Sequence, residues 1–78
     1  MIAEGNYIYL NFGNDYVGVI PCKNIINRVY DDGSFLTNVP NNPHCARHTS
    51  KDILCFANNS DPIYPKKDEW EKIKNRTS

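Results

Sequence analysis

The N-terminal stretch Asn6-Tyr7-Ile8-Tyr9-Leu10-Asn11-Phe12 places Ile8, Leu10 and Phe12 on one face and Tyr7, Tyr9 and Asn11 on the other. That period of two, carried by aromatic and β-branched residues, is the pattern of a strand with one face on a core. Gly13-Asn14-Asp15 then supplies residues that tolerate positive φ, and Tyr16-Val17-Gly18-Val19-Ile20 resumes the extended pattern. Residues 7–20 therefore predict a β-hairpin. Pro21 should end its ladder, because proline has no N–H to donate.

A second hairpin follows. Ile25-Ile26-Asn27-Arg28-Val29-Tyr30 is rich in β-branched residues, Asp31-Asp32-Gly33-Ser34 has turn chemistry, and Phe35-Leu36-Thr37-Asn38-Val39 is extended again. Pro40-Asn41-Asn42-Pro43 reads as loop. Thr49-Ser50-Lys51-Asp52 resembles a helix start, with a hydroxyl and, three residues on, a carboxylate. Ile53, Leu54, Phe56 and Ala57 then fit either one face of a short helix or a strand, since periodicity does not separate short apolar runs. Asn58-Asn59-Ser60-Asp61-Pro62 ends that element. A last helix is predicted from the acidic pair Asp68 and Glu71 at its start, the cations Lys72, Lys74 and Arg76 near its end, and an apolar stripe of Trp70 and Ile73. The expected architecture is α+β: a small, mostly antiparallel four-stranded sheet of two hairpins, followed by one or two short helices, as one globular domain over residues 1–78.

Size limits what such a domain can hold. A chain of 78 residues buries only about 60% of its unfolded surface, and its net stability should fall at roughly 4–12 kcal/mol. Nine Lys and Arg against nine Asp and Glu give zero formal charge, which weakens any purely electrostatic attraction to nucleic acid. Met1-Ile2-Ala3-Glu4-Gly5 lacks a basic start and an apolar run, and three cysteines are an odd, low number. Both features predict reduced thiols in the cytoplasm. The abundance of Asn, Ile, Lys and Tyr, whose codons are AT-rich, suggests a low-GC bacterial or phage gene.

Candidate chemistry centres on His44-Cys45-Ala46-Arg47-His48. Cys45-x-x-His48 has the spacing of half a zinc knuckle, and Cys22 and Cys55 could nominally complete four ligands. A structural site normally uses two close pairs, so small buried thiols are the simpler reading and no metal is expected. A Cys–His dyad would need an orienting third group and an oxyanion hole, and the sequence offers no sign of either. Gly5, Gly13, Gly18 and Gly33 are too scattered for a phosphate-binding loop. No catalytic residue and no cofactor are expected.

Aromatic side chains carry the remaining signal. Tyrosine and arginine are enriched at protein interfaces, and Tyr7, Tyr9, Arg28, Tyr30 and Arg47 are the contact residues this pattern selects. The expected function is a small non-enzymatic binding module, in concrete form a phage-type accessory or inhibitor protein that occludes a larger host macromolecular complex, with a homodimer compatible with unpaired sheet edges. An alternative is single-stranded nucleic-acid binding through the same aromatic face. The third reading is a small zinc-binding domain.

Overall fold

Residues 2–76 are described by a computed structural model. Strands β1 (Tyr7–Asn11), β2 (Pro21–Val29), β3 (Phe35–Asn38), β4 (Cys45–His48) and β5 (Ile53–Ala57) are followed by one α-helix, α1 (Lys67–Asn75). All strand pairs are antiparallel, and the order across the five-stranded sheet is β4-β3-β2-β1-β5. The α+β expectation holds, with five strands instead of four. The expected strand at residues 16–20 is absent, and two strands are added, β4 and β5, from segments whose short runs carry no decisive period.

The connection between β4 and β5 sets the shape. These are the two edges of the sheet, which in a flat sheet would stand about 19 Å apart, four steps of about 4.8 Å. They are joined through a single 3₁₀ turn, Ser50–Asp52, which rises only about 2 Å per residue. The sheet must therefore curl into a half-open barrel. β2 makes the bend: its first half pairs with β1, its second half with β3, and a bulge falls between Ile26 and Arg28.

Inside the curl, Ile8, Leu10, Ile26 and Phe35 form the core, with Ile2 and Ile53 packed against it. Asn24 and Thr37 are buried on the same face and satisfy each other: the Thr37 hydroxyl donates to Asn24 Oδ1 at 3.1 Å, and Asn24 Nδ2 donates to Cys22 O at 3.2 Å. Buried polar groups paired in this way avoid the desolvation cost of an orphaned donor.

The outer face of β1 and β2 is covered as well. Residues 58–76 fold back over it, and Tyr9, placed on the open face by the sequence pattern, is fully buried. Its ring meets Trp70 of α1 edge to face at 5.2 Å, and its hydroxyl donates to Pro62 O at 2.5 Å. Burial, followed by the nearby Asp61 carboxylate, pushes the Tyr9 phenol up to about 12, so it stays neutral and remains a donor. Lys23 is buried beside it, its ammonium donating to Asn59 O and Asp61 O at 2.9 and 2.5 Å and lying 5.0 Å from the Tyr7 ring centre. Trp70 and the buried Ile73 anchor α1, as their spacing predicts. The helix begins two residues earlier than Asp68 suggests, because the Glu69 carboxylate reaches back to the Lys66 N–H at 2.9 Å.

Asp61 locks this outer layer. Its carboxylate receives the Asn58 N–H at 2.8 Å and both terminal nitrogens of Arg76, the Nη1 bond at 3.0 Å. The Arg76 guanidinium, reinforced by the Asn58 amide, holds the Asp61 carboxyl below the usual carboxylate range. A carboxyl depressed in the native state stabilises fully above its unfolded value, about 4, and loses that contribution as pH falls through the lower native value. Asp61→Asn is expected to cost about 1–3 kcal/mol at neutral pH. In urea melts its deficit against the parent should shrink towards zero at strongly acidic pH; a deficit independent of pH would contradict the assignment.

Candidate protein-interaction site

The hairpin expected over residues 7–20 does not form as read: Tyr16–Ile20 is not a strand, and β1 pairs instead with β2. β1 ends at Asn11 and β2 starts at Pro21, paired with Asn11, so residues 12–20 form a loop. Pro21 opens a strand instead of closing one, a position where its missing N–H is tolerated. Side chains hold the loop. Asn11 Oδ1 receives the amides of Gly13 at 2.7 Å and Ile20 at 2.9 Å, tying the two ends together. Asn14 Oδ1 receives those of Tyr16 and Val17 at 2.8 and 3.1 Å. Gly13 is required for closure, since a Cβ there would stand 1.7 Å from Gly18 O, and Gly18 itself sits at φ +82°.

This architecture turns apolar side chains outward. Tyr16 is 100% exposed, and Phe12, Val17, Val19 and Ile20 are exposed with it. Asp15 is the single charged residue between Glu4 and Lys23. Phe12, expected in the core, is outside because β1 stops one residue before it. Beside the loop lies a cavity of about 310 Å³, lined by Phe12, Thr37, Val39, His44, Ala46 and His48. The β3–β4 connection, with Asn41 at φ +70°, forms its far wall.

Three of the residues selected from sequence come together elsewhere. Arg28 and Arg47 lie 5.2 and 3.9 Å from the Tyr30 ring centre. Arg47 also donates to Ser34 Oγ at 2.8 Å and pairs with Asp32 at 3.2 Å. The Ser34 hydroxyl and amide, and secondarily Arg47, hold the Asp32 carboxyl below its usual range. This cluster sits at the β2–β3 turn, the opposite end of β2 from loop 12–20. Tyr7 stands apart from it, half-buried against Lys23, and buried Tyr9 has no surface to offer. Of the tyrosines selected from sequence, Tyr7 and Tyr30 are engaged by cations and Tyr9 by the helix.

His44, Cys45 and His48 all border the cavity beside loop 12–20, but Cys45 and His48 make separate contacts. Cys45 Sγ contacts Pro43 O at 3.7 Å, whereas His48 Nδ1 lies 3.3 Å from Asp52 Oδ2. Burial pushes the Cys22 and Cys55 thiols up, the reverse of nucleophile activation. No group of three His, Cys, Asp or Glu side chains able to hold a metal occurs among the described residues. Among them, too, no helix is long and apolar enough to cross a membrane. No protein-family model, curated protein or solved structure matches this chain.

Loop 12–20 is the feature that reading the sequence by alternation misses. Its signal was present in Asn11 and Asn14, side chains that cap loop amides, and in the pair Gly13 and Gly18.

Proposed function

We propose that this chain is a small binding module that docks a larger protein through loop 12–20, with no chemistry of its own. The observation that supports this reading is the loop itself: a run of exposed apolar side chains around fully exposed Tyr16, held in one shape by Asn11 and Asn14. Exposed apolar patches mark interaction surfaces. A loop fixed before binding loses less conformational entropy on association. Tyrosine at the tip offers a large rigid ring with a polar end, the kind of side chain that dominates interface energetics. The partner surface complementary to such a loop is an apolar hollow of a larger protein or complex, and covering it gives the module an occluding, inhibitor-like mode of action. The Arg28–Tyr30–Arg47 cluster, at the far end, is a separate polar surface.

Tyr16→Ala combined with Val17→Ser tests the reading. Both side chains are exposed, so stability should change by no more than about 0.5 kcal/mol. Affinity capture from the source cell should lose those proteins that bind directly to the parent chain. Unchanged capture and direct binding by the variant would contradict the proposal.

A further inference from the structure

We infer that the cavity beside loop 12–20 binds a small uncharged heterocycle that presents a hydrogen-bond donor next to an acceptor, as a purine base does. The inference stands apart from partner docking, since the free chain suffices for its test. Asn24 of β2 and Thr37 of β3, 3% and 1% exposed, form the floor of the cavity, and Ala46 of β4 continues it. Folding does not require that polarity. Ile8 lies opposite Asn24 and Ile26 opposite Thr37, and an apolar pair of similar shape would serve such a core about as well. Nor do the protein's own bonds exhaust it. Asn24 has two N–H donors and two acceptor lone pairs, of which Cys22 O takes one donor and the Thr37 hydroxyl one lone pair. One N–H and one lone pair remain, the kind of couple that asparagine sets against the edge of adenine.

The walls suit a flat ring. Phe12 from loop 12–20 and Val39 from the β3–β4 connection supply apolar surface. Both segments are braced by side chains, loop 12–20 through Asn11 and Asn14. In the other, the Asn42 N–H donates to Val39 O, Asn38 Nδ2 to Asn42 O and the His44 N–H to Asn42 Oδ1, each at 2.9 Å. A cavity shaped on both sides before binding costs little to order. Its volume, about 310 Å³, lies at the small end of the range for ligand pockets, about 300–1,000 Å³. No Asp, Glu, Lys or Arg lines it among the described residues, so a charged ligand would shed its hydration without a fixed countercharge. The imidazoles of His44 and of His48, the latter beside Asp52, complete the rim with further donors or acceptors.

Adenine titrated into the isotope-labelled chain should give saturable NMR shifts centred on the Asn24 side-chain amide and on the amides of Phe12 and Ala46. Indene, a ring of similar area with no polar edge, and benzoate, which carries a charge, should each bind about tenfold more weakly or worse. Adenine shifts that do not saturate, or that centre elsewhere, overturn the inference. So does indene or benzoate binding as tightly as adenine. Asn24→Leu with Thr37→Val should keep native Trp70 emission and weaken adenine binding by about tenfold or more. Ala46→Leu, a change at an exposed strand position that leaves the Asn24–Thr37 pair intact, should fill the cavity and weaken it likewise. Adenine binding at parental affinity in Ala46→Leu places the ligand outside the cavity and overturns the inference.

Discussion

Tyr9→Ala is expected to destabilise the chain by about 3–5 kcal/mol, a large part of the roughly 4–12 kcal/mol that a domain of this size has. The ring is fully buried between the sheet and α1, and its removal opens a cavity beneath Trp70 while depriving Pro62 O of its donor. Trp70 emission should move to the red in the variant at equal temperature, because the indole loses its edge-to-face partner. Tyr9→Phe separates the two effects. It keeps the ring and leaves the Pro62 carbonyl without its bond, at about 1–2 kcal/mol. Urea melts measure both; a loss below about 1 kcal/mol for Tyr9→Ala would show that the C-terminal layer does not pack on β1.

Phe35→Ala should be comparably damaging, at about 3–5 kcal/mol. Phe35 is fully buried inside the curl with Ile8, Leu10 and Ile26, opposite Val29 and His48 on its two neighbouring strands. The cavity would open where the two halves of the barrel meet. Phe12→Ala is the informative contrast, since the alternating pattern of residues 7–12 puts Phe12 in the same core. Its exposure predicts a change within about 0.5 kcal/mol. Thermal melts of the two variants side by side decide the point, and similar losses would mean that loop 12–20 packs inward.

The contrast shows where local pattern is informative and where it stops. Ile8 and Leu10 alternate into the core as their spacing requires, the 31–34 turn forms with Gly33 at φ +90°, and α1 docks through Trp70 and Ile73. These features depend on near neighbours or on one unambiguous period. Tyr9 depends on Pro62 and Trp70, more than fifty residues away, and no alternation rule registers a second layer supplied from that distance. β4 and β5 are short, and β5 is apolar throughout, so strand and helix templates fit it equally until the β1 edge selects one. The contact residues chosen for their chemical type fared according to geometry: Arg28, Tyr30 and Arg47 cluster, Tyr7 stands half-buried against Lys23, and Tyr9 is sealed. Loop 12–20 escaped notice because its residues have strand propensity, while the side-chain caps of Asn11 and Asn14 override it.

The central claim is that a preformed apolar loop is the binding surface, and hydrogen exchange tests it most directly. In the free chain the amides of Gly13 and Ile20, both bonded to Asn11, should exchange more slowly than exposed loop amides, and Asn11→Ala should abolish that protection. With the captured partner bound, new protection should concentrate at residues 12–20. Fast exchange at Gly13 and Ile20 in the free chain, or partner protection confined to the Arg28–Tyr30–Arg47 end, would contradict it.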